Sequence, residues 1–498
     1  MSHLIIAPVI LPAVIGALII LWMRADLLLQ RVFSVAGTAL LLALALYLNG
    51  LAGSGEIRVY RLGNWSAPFG IVLMLDRLSA LMVLLTAVLA LAVQLYAMGS
   101  GWDRRGWHFH ALWQFQLMGI CGAFLTGDAF NLFVFFEVLL IASYGLMIHG
   151  GGPMRLRAGV QYIAYNLAGS TLFLAALGVL YAVTGTLNMA DMAARVAAMP
   201  PQDTALLRVG AVLLMLVFAV KAALVPLHFW LPSTYANAPG PVAALFAIMT
   251  KVGVYGIIRF FTLVFPKDAV IETVVMDLLL PAALFTLALG QIGILGTRHL
   301  GRMAAFAAIG SVGTLMIAVA QFTVQGTAAA LYYMIHSTLA AGALFLIVDM
   351  IGARREGDLW LRAGAAPGGL IAALYFAAAI AVVGMPPLSG FVGKLLVMQA
   401  TQSAPAAVWI WGTILTSSLI AIYGMARAGT TVFWKSQAPS KDAQPALAIV
   451  AVGLLLAGIL GLTVLAGPVT AWAQATARQL HDPALYLQAV LQEQEGVK

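Results

Sequence analysis

Apolar runs of about twenty residues, each long enough to cross the roughly 30 Å hydrocarbon core of a bilayer as a helix, recur along nearly the whole chain. With 62% hydrophobic and 9% charged residues and a mean hydropathy of +0.99 over 498 residues, the composition lies far from that of globular domains, about a quarter of which is charged. The chain reads as an all-α, polytopic membrane protein with no soluble domain between its spans. Hydropathy places spans near 3–22, 32–50, 78–98, 110–126, 130–148, 159–183, 207–229, 241–262, 274–296, 303–322, 328–350, 369–399, 406–428 and 446–472, about fourteen helices by that criterion. The first run, Leu4 to Trp22, follows Met1-Ser2-His3 without a basic segment or a small-residue cleavage site, so it reads as a retained span.

The positive charges test this count, because lysine and arginine concentrate on cytoplasmic loops. Fourteen of the 26 basic residues, Arg24, Arg31, Arg104, Arg105, Arg155, Arg157, Arg298, Arg302, Arg354, Arg355, Arg362, Arg427, Lys435 and Lys441, fall on or beside one set of alternate loops. Nine fall on the other set, among them Lys267, Arg478 and Lys498, and three lysines lie within spans. The bias favours both termini on the outer side. It also accounts for the net charge of +8 as topology signals and gives no reason to expect a nucleic-acid partner.

Five ionisable residues sit inside the apolar runs: Glu137, Lys221, Lys251, His336 and Lys394. A charge at the bilayer centre costs about 2.5–3.5 kcal/mol on the most lenient scale, so such residues point to proton or ion handling. Glu137 lies among phenylalanines and aliphatics and needs a partner. Tyr144, two turns on, shares its face. Lys221 precedes Pro226, which cannot donate to the carbonyl of Ala222 and predicts a broken helix; broken helices in membranes line cavities and ion sites. His228 would share the face of Lys221 if the helix continued, and could equally sit at the membrane edge. Lys251 lies mid-span, too deep to reach either surface, beside the hydroxyl of Thr250. An imidazole titrates near neutrality, so His336 suits a relay midpoint, with room for water left by Ala340 and Ala343; taken alone, a helix–helix hydrogen bond explains it equally well. Lys394 ends Gly384-Met-Pro-Pro-Leu-Ser-Gly-Phe-Val-Gly-Lys394, where Pro386 and Pro387 mark a second broken span. Two interrupted spans at corresponding positions suggest paired halves with inverted topology. Asp128, Asp277, Asp349 and His149 lie near span ends and read as interfacial or capping groups. The lone cysteine, Cys121, provides neither disulfide nor cluster ligands.

The stretch from Lys221-Ala-Ala-Leu-Val-Pro-Leu-His-Phe-Trp-Leu-Pro232 through Thr250-Lys251 to Gly256 resembles the antiporter-like family shared by respiratory complex I, membrane-bound hydrogenases and the multisubunit Mrp-type cation/proton antiporters. Phe136-Glu137, His336-Ser-Thr338 and Met385-Pro-Pro-Leu-Ser-Gly-Phe-Val-Gly-Lys394 extend the likeness over nearly all of the chain. Asn131-Leu-Phe-Val-Phe-Phe-Glu137 and Tyr162-Ile-Ala-Tyr-Asn166 make it most similar to the D-type branch of the Mrp-type antiporters. The resemblance implies fourteen helices containing two inverted five-helix repeats, here 110–262 and 274–428, flanked by 1–109 and 446–498. It implies that Glu137 pairs with Lys221, that Lys251 and His336 form the central relay, and that Lys394 ends it. It also implies a bacterial inner-membrane complex with A-, B-, C-, E-, F- and G-type subunits, in contact with lipid, that exchanges protons for Na+ or K+. Some complex I relatives carry a glutamate where this chain has Lys394. A redox-driven pump module is the alternative, chemically identical in its relay and different in its partners. No cofactor or metal motif is present in the sequence, and no enzymatic chemistry is expected.

Overall fold

The computed structural model describes residues 2–200, 204–265, 270–365, 367–435 and 445–491; Lys267, Lys441 and Lys498 lie outside them. The chain is a helical bundle. Six helices come first: α1 (Ala7–Trp22), α2 (Leu27–Ala52), α3 (Arg77–Gly99), α4 (Phe109–Leu125), α5 (Ala129–Met147) and α6 (Pro153–Thr184). A short amphipathic α7 (Met189–Ala197) leads to α8 (Ala205–Ala222) and α9 (Trp230–Asn237), then to α10 (Gly240–Leu263), α11 (Val270–Gly296), α12 (Leu300–Val319) and α13 (Val324–Arg354). The remainder is α14 (Gly369–Val383), α15 (Ser389–Ala400), α16 (Ala407–Gly429), α17 (Ala446–Val464), α18 (Ala466–Leu480) and α19 (Pro483–Leu491). Among the described residues eleven helical stretches are long and apolar enough to cross a membrane, and α1, α4 and α14 are shorter apolar helices.

Helix starts follow capping chemistry. Asp26, Asp76, Asp128 and Thr323 accept backbone N–H bonds at the starts of α2, α3, α5 and α13, and Ser79 completes a capping box with Asp76. Asp128 therefore separates α4 from α5, with the break at Thr126-Gly127-Asp128. α10 and α13 pack against each other and are buried along almost their entire length, so they form the core around which the other helices are arranged. Small residues let these backbones approach closely. A Cβ on Gly253 of α10 would stand 2.7 Å from the Ala222 nitrogen and the Phe218 carbonyl of α8.

Several expectations need correction. The span placed at 207–229 ends at Ala222: Ala223 takes the left-handed conformation (φ +57°), so the helix stops four residues before Pro226. His228 consequently does not continue the face of Lys221. The span placed at 446–472 divides at Leu465, after which α18 is amphipathic and buries Ala473, Thr476, Ala477 and Leu480. Hydropathy windows also pass over α7, α19 and a hairpin, β1 (Arg58–Arg61) paired antiparallel with β2 (Val72–Leu75), because each is too short or too polar to register.

Candidate functional site

The lysine-bearing elements meet in the core: α8 packs on α10, α10 on α13, and α13 on α14 and α15. Lys221, Lys251, His336 and Lys394 are 6%, 0%, 1% and 7% exposed, so all four heads are withdrawn from the outside of the bundle. Each buried polar group then requires an internal partner.

At one end Lys221 Nζ donates to Asn166 Oδ1 at 3.1 Å and lies 5.6 Å from the centre of the Phe136 ring. The expected direct ion pair with Glu137 is absent from this geometry. Glu137 is half-buried, and its Oε1 is sealed without a hydrogen-bond partner, although the carboxylate stands within Coulombic reach of both Lys221 and Tyr144. The Tyr144 ring packs edge-on against Tyr162, one turn before Asn166 on α6. Trp230 Nε1 donates to the Val220 carbonyl across the break, a carbonyl that also accepts the Ala223 N–H at the end of α8. Pro226 is exposed within the break, and His228 is half-buried there with Nδ1 unpartnered.

In the centre, Lys251 Nζ lies 3.5 Å from the Thr250 hydroxyl, a long contact for so buried a charge. His336 Nδ1 is 2.9 Å from Oγ of Ser389, the first residue of α15, and the Tyr333 ring packs 5.7 Å away. A void of about 10 Å³ adjoins His336 and is lined by Ser311, Tyr333, Ser337 and Ala340, with Ala343 outside it; this is about the space that holds one water.

At the far end, the α14–α15 break begins at Gly384, whose φ of +78° suits glycine. Pro386 and Pro387 are exposed in the turn. Lys394 Nζ reaches back from α15 to the carbonyl of Val383 at 2.7 Å and to Ser418 Oγ of α16 at 2.8 Å. A cation thus sits on the last carbonyl of a half-helix, at the negative end of its dipole.

Sequence reasoning passed over Asn166, Ser389 and Ser418, neutral groups that hold three of the ionisable ones. Asp349 lies near the end of α13, toward the arginine-rich end of the bundle. Asp349 accepts from Tyr96 Oη at 2.7 Å and Trp102 Nε1 at 2.9 Å and packs against the first residue of α10. It forms part of the wall of a cavity of about 710 Å³ that opens between Arg105, Arg155, His299 and Glu356. Asp128 is a capping group, accepting from the Asn131 nitrogen at 2.7 Å, and burial pushes its carboxyl up to about 6. Asp277 is exposed. His149 is buried, with Nε2 2.9 Å from the Trp102 carbonyl, and burial lowers its basicity. No group of three or more His, Cys, Asp or Glu able to hold a metal occurs among the described residues.

Comparison with known proteins gives a consistent result. The family described as NADH:quinone oxidoreductase/Mrp antiporter, transmembrane, matches residues 126–422. The D-type subunit of a probable K+/H+ antiporter of Rhizobium meliloti is 40% identical, with 99% of this chain and 98% of the relative aligned. The D-type subunit of the Na+/H+ antiporter of Bacillus subtilis is 37% identical over 99% of this chain and all of the relative. In structure, a chain of the Mrp complex of a Dietzia species superposes with a TM-score of 0.89 at 26% identity, covering 98% of this chain and 99% of that one. A chain of respiratory complex I of Thermus thermophilus superposes with a TM-score of 0.78, also at 26% identity, over 96% and 99%.

Proposed function

Because the chain belongs to the family of NADH:quinone oxidoreductase and Mrp antiporter membrane subunits, we infer that it is the D-type member of a multisubunit monovalent cation/proton antiporter, a transporter and not an enzyme. The observation that carries the mechanism is the set of sealed ionisable groups on α8, α10, α13 and α15, each held by neutral side chains or a carbonyl.

We propose that protons pass along Lys221, Lys251, His336 and Lys394, with Glu137 controlling the first step. Lys221 is held by Asn166, and the unpartnered oxygen of Glu137 provides a second acceptor within Coulombic reach. Movement of the ammonium toward Glu137 would stabilise its charge, and movement away would favour release of the proton toward Lys251. Thr250, Tyr144 and the water-sized void beside His336 are supporting groups. His228, in the turn after α8, is a secondary candidate.

The topology fits two inverted units. With α1, α4 and α14 added to the eleven longer stretches the crossings number fourteen, and α8/α9 and α14/α15 are each the fourth span of a five-span unit, within 110–262 and 274–428. Lys221 precedes its break and Lys394 follows its own, so the two lysines take up opposite sides of the interruption in the two units. Residues 1–109 and 446–498 flank these units. The bundle end carrying Arg31, Arg105, Arg155 and Arg355 would face the cytoplasm, leaving both termini outside a bacterial inner membrane. The partners would be A-, B-, C-, E-, F- and G-type subunits and lipid, and the exchanged cation Na+ or K+.

Likeness to complex I also favours a second reading, a pump module driven by electron transfer. Mass spectrometry of what co-purifies from native membranes separates the two: small hydrophobic subunits support the antiporter, and flavin or iron–sulfur subunits the pump. Lys221→Ala in an assembled complex should abolish cation-driven proton movement, and retained full exchange would overturn the relay.

A further inference from the structure

Helices α2, α3 and α4 enclose a second polar site, separate from the lysine axis. On α2, Ser34 and Thr38 lie one turn apart on one face, and both are fully buried, as are Gln94 of α3 and Gln114 of α4. Gln94 Nε2 donates to Ser34 Oγ at 2.6 Å. Gln114 Nε2 stands 3.0 Å from the Ser34 carbonyl, 3.0 Å from Ser34 Oγ and 3.1 Å from Thr38 Oγ1. Two N–H bonds cannot satisfy three oxygens, and the Ser34 carbonyl also accepts from Thr38 Oγ1 at 2.9 Å. Meanwhile Gln94 Oε1 and Gln114 Oε1 are buried with no partner at all. The cluster is rich in oxygen and short of hydrogen, and leaving such acceptors unpaired is costly.

A half-turn of the Gln114 carboxamide exchanges its oxygen for its nitrogen at almost no steric cost, since the two ends are nearly the same size. Gln114 Oε1 would then take the position now held by Nε2, beside the Ser34 carbonyl, Ser34 Oγ and Thr38 Oγ1, with Gln94 Oε1 able to turn toward the same group and an ion coordinated between these oxygens. We propose that these oxygens form a binding site for a dehydrated monovalent cation, sodium or potassium. Neutral carbonyl and hydroxyl oxygens replace a hydration shell, and without a carboxylate among them the ion is held weakly enough to leave, as transport requires. One turn before Gln114, His110 leads to Asp103 at the arginine-rich end: His110 Nε2 lies 3.2 Å from Asp103 Oδ2, which also accepts from Arg31 Nε at 2.6 Å. Burial pushes the Asp103 carboxyl up, but the hydrogen bonds from His110 and Arg31 outweigh it and keep it below the usual carboxylate range. The Asp103 carboxylate, paired with Arg31, thus stands between the arginine-rich end and the cluster.

This proposal rests on the antiporter reading and adds to it a cation step within this subunit. The test uses the whole complex in inverted vesicles, with exchange measured against Na+ and K+ concentration. Gln114→Leu and Thr38→Val should raise the half-saturating concentration of the transported cation about tenfold, and Thr38→Ser, which keeps the hydroxyl, should restore it. An unchanged half-saturating concentration for both cations in Gln114→Leu overturns the site. A second measurement does not depend on transport. The melting temperature of the purified wild-type complex should rise in NaCl or KCl relative to choline chloride, and Gln114→Leu should diminish that rise. Equal melting in all three salts, or an undiminished rise in the variant, also overturns the site. A wild-type complex that is stabilised by the cation yet exchanges none would refute the transport reading and leave this site standing.

Discussion

Lys394 Nζ donates to the carbonyl of Val383 across the α14–α15 break, so the lysine that ends the proposed relay also closes the interrupted helix that carries it. Lys394→Met would leave that carbonyl unpaired in the bundle, a loss of about 1–3 kcal/mol, and should eliminate exchange while the complex still assembles. Lys394→Glu should be worse for stability, because it sets a carboxylate against a carbonyl with no donor between them. Dye-quench exchange in vesicles, normalised to assembled complex, checks both, and wild-type exchange in Lys394→Met would remove Lys394 from the relay.

Asn166 is the hydrogen-bond partner of Lys221. A hydrogen bond to a charged group contributes about 1.5–3 kcal/mol, so Asn166→Leu should reduce exchange roughly ten- to hundredfold, whereas Asn166→Gln should retain part of it by offering the same oxygen from a longer stem. If Asn166→Leu exchanges at the wild-type rate, Lys221 does not depend on this contact.

What could be read from the sequence was mainly what membrane burial makes rare. A charge in an apolar run is conspicuous, and Glu137, Lys221, Lys251, His336 and Lys394 stood out for that reason alone; the prolines marked both breaks. Asn166, Ser389 and Ser418 could not be distinguished in the same way, because neutral polar side chains satisfy themselves on the backbone one turn earlier throughout these helices, as Ser418 also does with Ile414. Asp349 was legible as a group near a span end, but its hydrogen bonds to Tyr96 and Trp102 left no signal in the sequence. α13 continues to Arg354, and Tyr96 and Trp102 fold over the carboxylate from the side. For Glu137 and Lys221, correspondence of motif positions indicates proximity, and the two are within Coulombic reach, while the hydrogen bond of Lys221 goes to Asn166.

Gly390 leaves the space that His336 occupies. A Cβ there would run into the Ala381 carbonyl and stand 2.8 Å from His336 Nε2. Gly390→Ala should therefore cost about 1–3 kcal/mol through overpacking and displace the imidazole from Ser389. Thermal melting together with exchange should show both falling, and a variant with unchanged melting would show that α15 shifts freely.

Asp128 links stability to pH outside the spans. Its carboxyl ordinarily titrates near 3.8 and is raised by burial to about 6 in the folded chain, so the folded state holds the proton more tightly than the unfolded state. The corresponding stabilisation is complete below 3.8 and is lost as pH rises through about 6. Asparagine caps a helix as well as aspartate does, so Asp128→Asn should keep α5 capped while flattening this part of the profile. Melting temperatures of the two proteins across that window should diverge, and parallel curves would show that Asp128 does not titrate there.

Asp76 and Arg259 form a bidentate pair, Nη1 to Oδ2 at 2.6 Å and Nη2 to Oδ1 at 3.0 Å, with both side chains buried where the start of α3 meets the end of α10. Tyr255 and Tyr486 close over the guanidinium, so neither charge has water to fall back on. Removing one partner of such a pair strands the other and costs about 3–5 kcal/mol, whereas replacing both by apolar groups is often neutral. Asp76→Leu and Arg259→Leu should each sharply lower the amount of assembled complex, and the double variant should recover much of it. Arg259 lies two turns beyond Lys251 on the same face of α10. If the double variant assembles and exchanges normally, the pair fastens α3 to α10; if it assembles without exchanging, the pair acts on the proton path beyond Lys251.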